Sequence, residues 1–486
     1  MQSHDSESAE HVSREGSSML CSFFESRLAF SFVTQLKSGS QIARTTIGAL
    51  AAVLLSVLAV PASGQLYYLP FELNLPNQVD PYLFGESLAI GDGVFYVGGE
   101  GDGFDFFEGE SAVYEFSSTT FEYIRTIESP GNSFIDRFGN VSEYYDGQLL
   151  VGALNGPGTL NDMGNPIETT GAVYLFDATT GALQHTFYED DNLVFNSAFG
   201  RDISINDVAI IIGGTDINGT GQVFAYSAVN YNLLVVLDPP ASNTYTNYGY
   251  QVDHNDDYLV VSAPGDTFFG DFGFVYVYDF TSGALLYTLA SPNGHEDQNF
   301  GFSIDLDGSN LLVGSLRSSN FMDPIGKAYI YDLTTGLVSH TFISEAEHNG
   351  FGVSVDLDGD TAVIGAPYDD DRGDNTGAVY VYSINTEKLI DKALPNTSLA
   401  GTWFGRKVQI DNGVILAQAN DRSLGSDNRS VYFLEQFCKP DINLDGSLDF
   451  FDVSAFLKFR IDFNEDGNFD FFDISSFLQS YNTGCP

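Results

Sequence analysis

From residue 351 the chain alternates apolar and polar positions: Val353, Val355 and Leu357 are separated by Ser354 and Asp356. Alternation of period two puts one set of side chains on each face of a strand. Asp358-Gly359 then interrupts the pattern. That dipeptide suits a tight type I′ hairpin, because both residues tolerate positive φ. A second strand is apolar throughout and ends in small residues, Val363-Ile364-Gly365-Ala366. After an acidic loop a third alternates β-branched and aromatic residues, Val379-Tyr380-Val381-Tyr382, and a turn leads to a short fourth strand. These strands are lettered A to D.

The same pattern recurs seven times, each unit opened by an aromatic-glycine pair. The pairs are Phe84-Gly85, Phe138-Gly139, Phe199-Gly200, Tyr248-Gly249, Phe300-Gly301, Phe351-Gly352 and Phe404-Gly405, 49 to 61 residues apart. The A–B turns recur at Asp92-Gly93, Asp146-Gly147, Asp307-Gly308 and Asn412-Gly413, and the C–D turns at Asp177 to Gly181, Asp279 to Gly283 and Asp332 to Gly336. Strand C is apolar-bodied on both faces, which suits a sheet covered on both sides by similar sheets. Four-stranded units that cannot bury their faces alone close radially into a β-propeller. One detail supports closure. The seventh unit ends after strand C (Ser430 to Phe433), and a strand without a unit precedes the first, at Leu66 to Leu75. The fold class expected is therefore all-β, a seven-bladed β-propeller closed by its N-terminal strand, plus a small helical module at the C-terminus.

Phe-Gly at the start of a unit and Gly365-Ala366-Pro367 after strand B resemble FG-GAP repeats, which are found in integrin α-subunit propellers and many bacterial surface proteins. Kelch repeats fit less well without a Gly-Gly doublet in every unit, and WD repeats less well with Trp403 the only tryptophan. Tight turns such as Asp356-Leu357-Asp358-Gly359-Asp360 are too short for the calcium loops of integrin propellers, so turn chemistry accounts for these aspartates. The variable B–C and D–A connections share one face, which is how a binding face behaves on a fixed scaffold. The resemblance implies the same face. Clustered aromatics there are the ligand-face candidates: Phe104, Phe106 and Phe107; Phe268, Phe269 and Phe272; Tyr245 and Tyr248. They form either a contact surface for a protein or glycan or plugs for their own loops. The loop with Asp369, Asp370, Asp371 and Asp374 is either a low-affinity cation site or a solvated acidic loop.

The sharpest chemistry lies in the tail. Asp441, Asn443, Asp445, Ser447, Asp449 and Asp452 stand at positions 1, 3, 5, 7, 9 and 12 of a twelve-residue calcium loop, with Gly446 at position 6 for the sharp turn. Asp462, Asn464, Asp466, Asn468, Asp470 and Asp473 repeat the set around Gly467. Two in-register copies predict two bound calcium ions. Carboxylates that repel one another without a cation predict that calcium folds the segment. Paired loops, each running into a short amphipathic helix, resemble type I dockerins in a Gly-Cys-terminated variant. That resemblance implies attachment to a cohesin-like partner. Loop starts only 21 residues apart leave little room for the usual linker helix, so a self-contained calcium clip and a sorting tag stay open as alternatives.

Arg44, the apolar run Ile47 to Val60 and the small residues up to Gly64 have the parts of a secretory signal. The run, about 14 residues, is shorter than the ~20 needed to span a bilayer. Residues 1–64 are thus an extension with a signal peptide, 65–437 the propeller and 438–486 the calcium module, in a protein secreted and held at the cell surface. After cleavage Cys438 and Cys485 remain, an even pair that reads as a disulfide in an oxidising compartment. Closing that loop would contribute roughly 4 kcal/mol. With 19 basic against 66 acidic residues and a net charge of −47, nucleic acid is an unsuitable partner. No nucleophile elbow, phosphate loop or zinc motif is present. A binding or adhesion protein is the first reading, and a tethered polysaccharide-degrading enzyme with carboxylates drawn from different blades is the second.

Overall fold

The computed structural model describes residues 66–75, 84–99, 111–131, 136–154, 171–188, 198–215, 220–240, 247–265, 273–292, 294, 299–317, 325–344, 349–395, 399–421 and 428–438. The signal segment, the calcium loops 441–452 and 462–473, Cys485, and the ring candidates Phe104, Phe106, Phe107, Tyr245, Phe268, Phe269 and Phe272 lie outside them. Pro70–Glu435 form one compact unit. The two termini, Met1–Leu69 with Gln436–Pro486, form the other, and of it only strand residues are described.

Seven four-stranded sheets make up the described chain, the all-β propeller expected from the repeat. The sixth blade shows the plan, with strands A to D at Val355–Asp358, Thr361–Ala366, Ala378–Ser383 and Lys388–Ala393, each antiparallel to the next. The seventh has Val408–Asp411, Val414–Asp421 and Asn428–Cys438, and its outer strand is Leu66–Leu73 from the other end of the chain. Side chains hold that closure. Ser430 Oγ donates to Glu72 Oε1 at 2.5 Å, Phe71 stacks on Phe433 at 5.4 Å, and Leu73 is buried beside Phe84 and Phe433.

The core sits between blades. One cluster joins Leu312, Ile330 and Phe342 of the fifth blade to Phe351, Ile364 and Tyr380 of the sixth. Each opening aromatic is buried in such a layer. Its glycine neighbour is there for two reasons. All seven adopt positive φ, from +81° at Gly249 to +90° at Gly139, which costs a side chain energy but not glycine. They also touch the previous blade: a Cβ on Gly405 would lie 2.4 Å from Ala378 O, and one on Gly365 would lie 1.9 Å from Gly405 O. The Phe-Gly of one blade and the Gly-Ala of the blade before it are two halves of a single contact. At the closing seam the small residue is replaced by Gln418, fully buried, and a Cβ on Gly85 would meet its Cγ at 2.7 Å.

The A–B turns depart in part from expectation. Positive φ at both central residues, the type I′ signature, holds for Asp146-Gly147 and Asn412-Gly413; at Asp92, Asp307 and Asp358 only the glycine that follows has it. Asp307 and Asp358 are set instead by the next blade, through Oδ2 atoms that accept from Gly359 N at 2.7 Å and Gly413 N at 2.9 Å.

Candidate functional site

Strand A is the innermost strand, and the seven copies surround a central channel with a volume of about 1220 Å³. Position along strand A fixes depth. The residue after each Phe-Gly pair lies at the mouth on the B–C and D–A face, and the A–B turn lies at the other end.

The wall carries carboxylates from successive blades. Asp202 Oδ2 accepts from Val252 N, Asp253 Oδ2 from Leu306 N and Asp305 Oδ2 from Leu357 N, each at 2.8 Å. Asp356 Oδ2 accepts from Ile410 N in the same way. These bonds form a side-chain girdle in which each of blades three to six satisfies the free edge of the next. The aspartates assigned above to turn chemistry are therefore inter-blade braces, and only Asp360 stays local, accepting from Ser383 Oγ at 2.8 Å and Asn385 N at 2.6 Å. The signal was in the sequence: Asp253, Asp305 and Asp356 each stand five residues after the opening aromatic.

Enclosure by the ring disfavours charge on these groups. Deep burial pushes Asp202 up to about 7 against the lowering effect of the Val252 N–H and Lys407. Burial, then neighbouring carboxylates, raises Glu143 and Asp305 well above the ordinary range. Burial likewise pushes Asp356 up to about 7, and the neighbouring Asp356 charge adds to the rise at Asp305. Among the described residues no cluster of His, Cys, Asp and Glu has the arrangement of a metal site.

The mouth is different. Arg201 (third blade), Tyr250 (fourth), Phe302 (fifth), Tyr368 (sixth) and Trp403 with Arg406 (seventh) line it. The Arg201 guanidinium lies 4.0 Å over the Tyr250 ring, Tyr250 meets Phe302 at 5.5 Å, and Tyr368 meets Trp403 edge-on at 6.2 Å. Arg201 Nε is buried with no hydrogen-bond partner. Among the described residues neither the Arg406 nor the Lys407 side chain has an acceptor. Burial pushes Glu86 up, but its ion pair with Arg429, helped by Lys407 and Arg406 at longer range, holds the carboxyl below its usual value.

Two sequence-level candidates resolve differently. Tyr248, proposed for the ligand face, is fully buried, with its hydroxyl 2.9 Å from the Tyr278 hydroxyl; as an opening aromatic it belongs to the core and offers no ring to a ligand. In the acidic loop the cation is the protein's own. Lys392 Nζ lies 2.9 Å from the fully buried Asp369 carboxylate and also pairs with Asp371, while Tyr380 donates to Asp369 at 2.8 Å. Cys438 ends the last strand of the seventh blade. The mouth residues Arg201, Tyr250, Phe302, Arg406 and Lys407 were missed because single residues beside the repeat motif carry no pattern of their own.

A family model described as FG-GAP repeat matches residues 345–382, the sixth blade from before Phe351 to strand C. The comparison with curated proteins finds no match. Among the described residues no helix is long and apolar enough to cross a membrane.

Proposed function

We propose that this chain is a secreted or cell-surface binding and adhesion protein. Its propeller presents the B–C and D–A face to a protein or glycan, and its tail, residues 438–486, attaches it through two calcium ions to a cohesin-like partner. The observation that carries the binding part is the asymmetry of the channel. Four wall aspartates are committed to the next blade, whereas the mouth combines part-exposed rings with cations that lack acceptors among the described residues. Sites of that composition bind small molecules and chain ends. An FG-GAP-type propeller agrees with such a role. The attachment part rests on the two twelve-residue loops, with six oxygen positions and a position-6 glycine in each.

Retention of the full chain on a glycan or protein array, without change to the retained ligand, is the expected result; turnover of the ligand would overturn it. For the tail, capture of the chain from cell-envelope extract should require calcium and be lost with a chelator. An Asp445→Ala/Asp466→Ala variant should lose capture while the propeller still melts as before. Capture that survives both treatments would remove calcium from the attachment.

The second reading, a polysaccharide-degrading enzyme tethered by the same tail, draws on one observation: Asp305 and Asp356 are neighbouring carboxyl groups on the channel, both raised by burial. A carboxyl pair is what general acid and base need. Both residues, however, have an oxygen committed to a main-chain N–H of the next blade, so the binding reading stands first.

A further inference from the structure

We infer that the channel mouth binds an acidic sugar unit, with its ring against the aromatic arc of Tyr250, Phe302, Tyr368 and Trp403 and its oxyanion between Arg201, Arg406 and Lys407. The inference rests on the binding function proposed above and gives that function a ligand class.

Charge is the first ground. Four basic side chains, Arg137, Arg201, Arg406 and Lys407, line the cavity among eleven acidic ones, and of those acids Asp202, Asp253, Asp305 and Asp356 are already committed to the next blade. The contrast with other described cations is sharper. Arg125 is paired with Glu115 at 2.6 Å, Arg429 with Glu86, and Lys392 with Asp369 at 2.9 Å. Arg201 Nε has no acceptor although it is buried, and an unsatisfied buried donor costs about 1–3 kcal/mol. A guanidinium in this position suits a carboxylate or sulfate, which accepts two parallel N–H bonds.

The rings supply the second ground. They come from four consecutive blades and flank an open cavity of about 1220 Å³, larger than the roughly 300–1,000 Å³ of a small-molecule site. That space suits the end of an oligosaccharide, whose C–H faces stack on aromatic rings while its hydroxyls find polar partners. Asn140 and Gln409 line the same cavity, and Gln409 Oε1 is buried without a partner.

The third ground closes one route that a peptide could take, strand addition, and leaves the acidic peptide as an arm of the test. One way an extended peptide is recognised is by adding to a free strand edge. Here the strand A edges of blades four to seven are occupied, because Val252, Leu306, Leu357 and Ile410 donate to aspartates of the preceding blade. Carboxylate and sulfate are the same chemistry to these cations, and the experiment separates them.

The test measures binding of the full chain to oligouronates, sulfated oligosaccharides, neutral oligoglucans and an acidic peptide by calorimetry, alongside a broad glycan and protein array. We expect an oligouronate or a sulfated oligosaccharide to bind at least tenfold more tightly than the neutral glucan. An Arg201→Gln/Arg406→Gln/Lys407→Gln variant should lose at least tenfold of that affinity and keep its melting temperature. Tyr250→Ala should weaken the same ligand without restoring preference for the neutral one. Equal binding of neutral and acidic sugars, or binding of the acidic peptide alone, overturns the inference. Array retention of some other ligand, unchanged in the triple variant, overturns it and leaves the binding function standing. No retention of any ligand overturns both.

Discussion

The wall and the mouth of the channel are built from the same seven strands only a few residues apart, yet their polar groups have opposite fates. On the wall, Asp202, Asp253, Asp305 and Asp356 each give an oxygen to a main-chain N–H of the next blade. At the mouth, Arg201 and Arg406 are left without acceptors among the described residues, as is Lys407 one residue deeper, at the level of Asp202. A buried polar group that is satisfied within the fold stabilises it, and one that is not carries a cost unless something else completes it. The contrast teaches that conspicuous acids in this chain are architecture and that its few basic residues mark the place where chemistry is incomplete.

The largest effect should come from breaking the wall. An Asp253→Ala/Asp305→Ala/Asp356→Ala variant leaves Leu306, Leu357 and Ile410 N–H groups without acceptors, at about 1–3 kcal/mol each. Denaturant unfolding should show the midpoint falling steeply, with the mouth ligand still bound by whatever fraction stays folded. An unchanged midpoint would mean that the girdle is ornament. Next comes a cation of the same face that does have partners. Lys392→Met strands the fully buried Asp369 carboxylate, and breaking one side of a buried pair costs about 3–5 kcal/mol. Charge removal at the mouth should do less: the Arg201→Gln/Arg406→Gln/Lys407→Gln variant is expected within about 1 kcal/mol of the parent, since it loses only the Arg201–Tyr250 cation–π contact and longer-range attraction to Glu86 and Asp202. A large loss would place those cations among the structural ones.

The last prediction concerns pH. Asp202 has a folded pKa of about 7, above the ordinary carboxylate value, because burial outweighs the Val252 N–H and Lys407. In the interval between the two values the folded state holds a proton that the unfolded state has released. Its contribution is therefore complete in acid and is lost as pH rises towards 7. Asp202→Asn cannot ionise, so its melting temperature relative to the parent should improve from pH 5 to pH 8. A constant difference across that range would show that Asp202 is charged throughout.

The blade plan was legible because it depends on period and on glycine. The Phe-Gly pairs could be read seven times over, and the physical reason, a positive φ and a close approach of backbones, permits few substitutes. The closing strand at Leu66–Leu73 was legible from a deficit, a seventh unit one strand short. Partners across a blade boundary were not. Asp356 and Ile410 are 54 residues apart, and nothing local tells a turn aspartate from one that reaches a neighbour. Tyr248 misled for the same reason: beside Tyr245 it resembles a loop aromatic, and only its place as an opening residue shows that it is core. The mouth stayed hidden because its residues are single contributions from different blades.

Closure by the N-terminal strand also sets a timetable. Glu72 and its partner Ser430 are 358 residues apart. At about 5–20 residues per second of synthesis, the first strand waits on the order of half a minute before its partner exists. During that interval Leu73 can pack on Phe84 and Phe95 of the first blade but lacks Leu416, Val431 and Phe433, the seventh-blade half of its core. A nascent chain of this design should need protection of its leading end, and refolding from denaturant should show ring closure as the slowest, most length-dependent step.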